Sequence, residues 1–232
     1  MPYFPDIDSL FVHIPKNAGR SVESALLTAG KSPHGGRRNI INRAATWVSR
    51  ASASGFAETH LIGTVDVALS AQHLTYIEMM MLGLLPNDIN EKSFCVVRNP
   101  FDRALSSVTH FSDARWIYAE SETERFDGFE RDLVSWLNRP ISDHNERAHR
   151  RRQIEFVKDL SGKIVIENIL KFERLDEDFS TFAEQRLDLN LSLRRTGFSG
   201  RKRHYSDYIS QNSHRIIVNE FSEDFKAFGY SC

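Results

Sequence analysis

The sequence predicts an α/β fold with a central, mainly parallel sheet flanked by helices. Three observations carry this. An apolar run, Leu10 to Ile14, ends in Pro15-Lys16, passes a small-residue turn and enters a helical pattern at Ser21. A second run, Ser93 to Arg98, is apolar at its centre and breaks at Asn99-Pro100 before another helical pattern. Elsewhere short strand-like runs alternate with periodic segments, the order expected of parallel strands joined by helices.

Leu10 to Ile14 reads as a buried strand. The helix after it spans Ser21 to Ala29, with Val22, Ala25 and Leu26 spaced for one face and Gly30 as its stop. Residues 31–57 are rich in Arg, Ser, Gly and Asn and read as a surface loop with a short helix at 42–49. Residues 60–67 have weak strand character, and Thr75 to Leu82 looks helical. After the strand at 93–98, Pro100 suits the first turn of a helix reaching about Phe111. Phe126 to Leu137 and Asn145 to Leu160 are the next predicted helices, separated by Arg139-Pro140. Ile164 to Ile166 and Ile169 to Phe172 are strand candidates, and Asp176 to Arg186 is a helix with an acidic first turn, favourable for its dipole. A basic loop, Thr196 to His204, precedes a last helix from Ser213 to Phe225.

Composition narrows the function. The 232 residues, 41% of them apolar, suffice for one sizeable core. Thirty basic against 31 acidic residues give a net charge of -1, so no global attraction to nucleic acid or anionic membrane is expected and any anion site must be local. The two cysteines, Cys95 and Cys232, match no metal spacing, and Cys95 reads as a buried free thiol suited to a reducing compartment. No run of about 18 apolar residues predicts a membrane span. Met1 to Asp6 lacks the basic and apolar regions of a signal peptide, so a soluble cytoplasmic protein is expected.

Two junctions carry the chemistry. Pro15-Lys16-Asn17-Ala18-Gly19-Arg20-Ser21 places backbone N–H groups, a helix N-terminus, an ammonium and a hydroxyl together, a combination that holds a phosphate or sulfate. It resembles a P-loop but lacks the G-x-x-x-x-G-K-[ST] spacing, since Lys16 opens the turn instead of closing it. Taken alone it also fits an ordinary strand–helix turn. At the second junction Arg98 ends a strand and Ser106 lies about two helical turns on, a guanidinium and a hydroxyl suited to a terminal phosphate. Arg98 alone also fits a structural ion pair. Ligands of open α/β sheets bind beyond the carboxyl ends of the strands, so both junctions are expected at one edge.

Together, in this order and in these settings, the two motifs resemble the 5′-phosphosulfate loop and the 3′-phosphate motif of the sulfotransferase superfamily. Phe172-Glu173-Arg174-Leu175-Asp176-Glu177-Asp178-Phe179 is similar to that family's F-E-x-L-x-x-D-F segment. The stretch from His204-Tyr205 to Gly229-Tyr230 looks like the C-terminus of its bacterial carbohydrate-type (family 2) members. The resemblance spans nearly the whole chain and is weakest at 31–57 and 112–145. It implies a single domain over 1–232, with a variable loop at about 31–57 and a helical insertion at about 112–160. The implied fold is a three-layer, P-loop-nucleoside-triphosphate-hydrolase-like one.

The resemblance also implies the donor 3′-phosphoadenosine 5′-phosphosulfate (PAPS), with adenosine 3′,5′-bisphosphate as product. No convergent His/Asp/Glu set has ligand spacing, so no metal is expected. Carried over by position, Pro15, Lys16, Asn17, Ala18, Gly19, Arg20 and Ser21 hold the 5′-phosphosulfate, and Arg98 and Ser106 the 3′-phosphate. Arg201 and Lys202 belong to a loop that closes over the nucleotide. Arg20 departs from the family's usual Thr. In-line sulfuryl transfer needs a base for the acceptor hydroxyl, and His suits that role at neutral pH. Of nine His residues, His73 in Gln72-His73-Leu74-Thr75-Tyr76 resembles the family's base region, with His60 as runner-up. His13 faces core or site, and Glu78 is a weaker candidate for base. His149 and Arg151, with Arg152 and Gln153, fall near the start of a predicted helix where relatives contact the acceptor. The resemblance implies a hydroxyl-bearing carbohydrate acceptor, and the basic 31–50 segment favours an anionic one such as a uronic-acid sugar. A P-loop-like nucleotide kinase and a non-catalytic nucleotide-binding module stay open as alternatives.

Overall fold

Among the described residues, four strands form one sheet in the order β1 (Tyr3–Phe4), β2 (Ser9–Val12), β3 (Phe94–Val97) and β4 (Asn168–Lys171). The computed structural model describes residues 3–31, 73–81, 91–193 and 201–232, so the expected helix at 42–49 and strand at 60–67 lie outside it. β2, β3 and β4 run parallel, with Val12 opposite Cys95 and Val97 opposite Lys171, while β1 pairs antiparallel to β2. The sheet is therefore mainly parallel, as the sequence predicts. The chain after β2, after β3 and after β4 leaves from the same edge.

Strand side chains alternate between two cores, as period-2 geometry requires. Phe11, Phe94, Val96 and Leu170 pack with Val22, Leu26, Phe179 and Phe182. Leu10, Val12, Cys95 and Val97 pack on the opposite face with Met79, Ala148, Phe156 and Phe228. Helices thus cover both faces: α1 (Gly19–Thr28) and α6 (Leu175–Leu187) on one, and α2 (Tyr76–Met81), α5 (His144–Arg150) and α8 (Ser222–Phe228) on the other. A third core joins α3 (Pro100–Phe111), α4 (Glu122–Asn138) and α7 (Gln211–Glu220) around Trp116, Phe129, Trp136 and Tyr208. Cys95 is fully buried, as expected, which pushes its thiol pKa up and disfavours the reactive thiolate.

Local signals explain the elements that matched. Gly30, at φ +75°, ends α1. Pro100 opens α3 while the Asn99 side chain accepts the Phe101 N–H. α2 begins with a reciprocal capping box, in which Thr75 Oγ1 accepts the Glu78 N–H and Glu78 Oε2 accepts the Thr75 N–H.

Four expectations need correction. α4 starts at Glu122 instead of Phe126, because the Ser121 hydroxyl caps it by accepting the Glu124 N–H. The helix expected over Asn145 to Leu160 ends at Arg150, and a separate 3-10 turn spans Gln153–Phe156. Tertiary partners take the backbone groups that would continue it: Arg103 donates to the His149 and Arg151 carbonyls, and the Asp224 carboxylate accepts the Gln153 and Ile154 N–H groups. Ile164 to Ile166 forms no named strand; Ile164 makes one isolated bridge to Lys158. The helix expected over Ser213 to Phe225 divides into α7 and α8 at Phe221, whose backbone leaves helical geometry while its ring stays buried.

Candidate active site

The segment between β2 and α1 lies at the carboxyl edge of the sheet. Lys16 and Ala18 both adopt left-handed backbone angles, φ +68° and +61°, which cost a non-glycine residue about 1 kcal/mol or more each and persist only where surroundings hold them. Here two arginines from β3–α3 hold them. Arg103 Nε donates to the Pro15 carbonyl at 3.2 Å, and Arg98 Nη1 donates to the Lys16 carbonyl at 2.8 Å. Across a trans peptide the next N–H points the opposite way, so the Lys16 and Asn17 N–H groups face away from those arginines. Ala18 precedes α1 with no side-chain cap, and among the described residues no acceptor meets the Gly19 and Arg20 N–H groups. These are donors with a helix dipole behind them, the arrangement that holds an anion.

Buried polar residues fix the loop from below. Asn17 donates through Nδ2 to the Val96 carbonyl and to Gln153 Oε1, both at 2.7 Å. Gln153 Oε1 also accepts the Arg98 N–H at 2.9 Å, and its Nε2 donates to the Arg98 carbonyl at 2.8 Å. Gln153 thus ties the first junction to the second. By sequence it falls among possible acceptor contacts; its signal as a staple is absent from sequence, because its partners are distant along the chain. Gly19 meets the His13 ring so closely that a Cβ there would lie 1.9 Å from Nε2.

The expected residues of the first motif therefore gather around one turn. Pro15, Asn17, Gly19 and Ser21 are buried, Lys16 and Ala18 half-buried, and Arg20 exposed. Arg20 lines a shallow groove along α1 with Glu23, Ser24, Leu27 and Thr28. Burial, then the charges of Arg98 and Arg20, lower the Lys16 pKa to about 8. Among the described residues no carboxylate pairs with its ammonium.

Arg98, 8% exposed, stands beside this turn. Its Nε and Nη2 meet Asp102 Oδ2 at 2.8 and 2.7 Å, and its guanidinium lies 3.9 Å from the centre of the Phe172 ring. Ser106 is one turn beyond Asp102 on α3, so both lie on one helix face. Arg201 reaches the same carboxylate, 2.6 Å from Oδ1, whereas Lys202 is exposed. The Phe172–Phe179 segment also has a visible task here. Phe172 supports Arg98, and Glu173 accepts the Asn99 N–H at 2.6 Å and the Tyr230 hydroxyl at 2.8 Å.

A row of imidazoles borders the loop. His73 Nδ1 donates to the His13 carbonyl at 3.1 Å, and His149 Nδ1 donates to the Asn145 carbonyl at 2.8 Å. Ring centroids separate His13 from His73 by 4.8 Å, His73 from His149 by 5.5 Å, and His149 from His110 by 5.3 Å. Burial first, then His13 and His149, lower the His73 pKa to about 2, against a raising backbone hydrogen bond. Burial first, with further lowering by Arg103, His110 and Lys16, takes His149 to about 3 against a raising bond from Asn145. Both rings are neutral at ordinary pH, each with its Nε2 lone pair available. His13, which by sequence faces core or site, sits where both meet, with its Nδ1 2.7 Å from Glu23. His110, exposed at the end of the row, was missed, and its sequence setting gives no sign of it.

Two expected residues engage each other instead. Glu78 and Arg151 form a bidentate pair at 2.7 and 2.5 Å, which engages the carboxylate and the guanidinium with each other. His60 lies outside the described residues. His149 and Arg151 close α5 rather than open a helix. Among the described residues no cluster of His, Cys, Asp and Glu is placed to hold a metal ion, and no helix is long and apolar enough to cross a membrane.

A family model described as "Sulfotransferase family" matches residues 3–231. No curated protein and no solved structure matches the sequence.

Proposed function

The chain belongs to the sulfotransferase family, and from that premise we propose that it moves a sulfuryl group from PAPS to a hydroxyl of a carbohydrate acceptor. One observation carries this reading. The half-buried Lys16 ammonium, on a strained turn beside Arg98 and Arg20, has no carboxylate partner among the described residues, in a chain whose net charge is only -1. Such a concentration of uncompensated positive charge fits an anionic ligand.

The donor set fits PAPS. Lys16, Ser21 and the N–H groups at the start of α1 would hold the 5′-phosphosulfate, and Arg98 and Ser106 the 3′-phosphate. When bound, the donor supplies an electrophilic sulfur on a good leaving group. In the transfer a bond forms between the acceptor oxygen and sulfur while the bond from sulfur to the phosphate oxygen breaks. Lys16 stabilises negative charge as it develops on that phosphate. His73 Nε2 takes the hydroxyl proton, its own Nδ1–H being pinned by the His13 carbonyl. Anions entering the site favour the charged imidazolium and raise its low pKa toward a useful range. The products are a sulfate ester and adenosine 3′,5′-bisphosphate, and the chemistry rests on positioning and charge, as in phosphoryl transfer.

Isothermal titration tests the donor assignment. Adenosine 3′,5′-bisphosphate is expected to bind more tightly than adenosine 5′-monophosphate, and equal affinities would remove the 3′-phosphate role of Arg98 and Ser106. Magnesium-dependent ATP hydrolysis in place of sulfuryl transfer would favour a nucleotide kinase.

A further inference from the structure

We infer that Asp102 is a positioning residue for the 3′-phosphate of the donor, setting the Arg98 and Arg201 guanidinium groups side by side to receive it. This rests on the reading of Arg98 and Ser106 as the site of that phosphate.

The Asp102 carboxylate is 6% exposed and divides its oxygens between two arginines that are distant in sequence. Oδ2 accepts from Arg98 at 2.8 Å, and Oδ1 accepts from Arg201 at 2.6 Å. Arg98 comes from the end of β3, Arg201 from the stretch before Tyr205–Tyr208. Unaided they would separate: burial disfavours the Arg98 charge, and the Arg201 charge disfavours it further, whereas Asp102 opposes both. Asp102 thus faces two guanidinium groups at once, and Arg98 in turn binds the Lys16 carbonyl.

Donor groups also remain. Arg98 spends Nε, one Nη2 hydrogen and one Nη1 hydrogen on Asp102 and the Lys16 carbonyl, leaving one hydrogen on each Nη. The bonds to Asp102 and the stacking on Phe172 fix the plane of the fork. Phosphate recognition by arginine depends on that plane. Ser106, one turn along the same helix face, adds a hydroxyl at the same end. Asp102 would touch no phosphate itself; it acts through its two arginines.

A purely structural carboxylate would affect folding and all ligands alike. A positioning one affects only ligands that carry the 3′-phosphate. The test therefore titrates wild type, Asp102→Asn, Arg201→Gln and the double variant with adenosine 3′,5′-bisphosphate and with adenosine 5′-monophosphate, with a thermal melt of each. Each single variant is expected to weaken the bisphosphate by about tenfold, the worth of one charged hydrogen bond, while the monophosphate is unchanged. The double variant is expected to be no weaker than Asp102→Asn, since both act on one contact set. Full 3′-selectivity in Asp102→Asn, or additive losses in the double variant, overturns the inference. If Asp102→Asn does not fold, Arg201→Gln decides alone, and retained selectivity overturns the inference. A wild type without 3′-selectivity removes the underlying reading itself, a result distinct from selective wild type with selective variants.

Discussion

His73 Nδ1 lies 3.1 Å from the backbone carbonyl of His13, the residue that follows β2 on the way into the candidate anion loop. A carbonyl only accepts, so this bond places the His73 proton on Nδ1 and leaves Nε2 with its lone pair. The base candidate and the loop are thereby coupled through one backbone group.

His73→Ala is expected to lower kcat by 10²–10⁴-fold, the usual worth of a general base, with little change in affinity for adenosine 3′,5′-bisphosphate. The pH profile adds a sharper check. Burial first, then His13 and His149, hold the free protein's His73 pKa at about 2, so its neutral form persists as pH falls through the ordinary histidine range. Since kcat/KM reports the free enzyme, it should show no acid limb near pH 6.5 from this residue. Such a limb, surviving in His73→Ala, would move the base elsewhere.

Gly19→Ala tests the wall of the loop. A Cβ there would sit 1.9 Å from His13 Nε2 and 2.1 Å from its Cδ2. The ring has little room to retreat, since Glu23 binds its Nδ1 and Phe11 stacks on it at 5.4 Å. Overpacking of this kind costs about 1–3 kcal/mol, read as a lower melting temperature together with weaker donor binding. Gly19→Ala combined with His13→Ala should regain part of the lost stability, because the three atoms nearest that Cβ all belong to this ring. A Gly19→Ala protein as stable as wild type would show the loop to be more pliant than its contacts imply.

The sequence was most legible where a local rule suffices. Pro100 and Asn99 mark the start of α3, and the composition of Pro15–Ser21 marks a strand–turn–helix junction, which the structure places between β2 and α1. Strand assignments at 10–14 and 93–98 rest on apolar runs, and β3 falls within the second. Legibility failed where distant residues compete for the backbone. Nothing around 145–160 shows that Arg103 and Asp224 will take the peptide groups of 149–154 and end the helix. Likewise Asp102 reads as an ordinary first-turn carboxylate until Arg201, 99 positions away, is brought to it. The row of His13, His73, His149 and His110 is drawn from four separate segments, which no spacing rule connects.

Gln153→Met keeps the volume of a fully buried side chain and removes its polar atoms. The Arg98 N–H and carbonyl and the Asn17 amide would each lose a partner. The Asn17 amide keeps the Val96 carbonyl, so the two Arg98 groups carry the loss. Unsatisfied buried groups cost about 1–3 kcal/mol apiece, so destabilisation of roughly 2–6 kcal/mol is expected in urea or thermal unfolding. Donor affinity should fall as well, because both junctions hang on this one amide. A stable variant with unchanged affinity would show that Arg98 and Asn17 are held by their other contacts.

Lys16 supplies a test in which pH acts on binding. Burial, Arg98 and Arg20 lower its pKa to about 8 in the free protein, so the ammonium is charged below that pH and is lost as pH rises through it. An anion bound beside it favours the charged form and raises the pKa, so binding above pH 8 must take up a proton. Affinity for adenosine 3′,5′-bisphosphate is therefore expected to fall as pH rises from about 8 toward the raised pKa. The calorimetric enthalpy in that window should depend on the ionisation enthalpy of the buffer. Lys16→Arg carries a guanidinium that stays charged throughout, so both effects should vanish even if its affinity is lower. Buffer-independent binding by wild type between pH 8 and 9 would mean that Lys16 is not beside the bound anion.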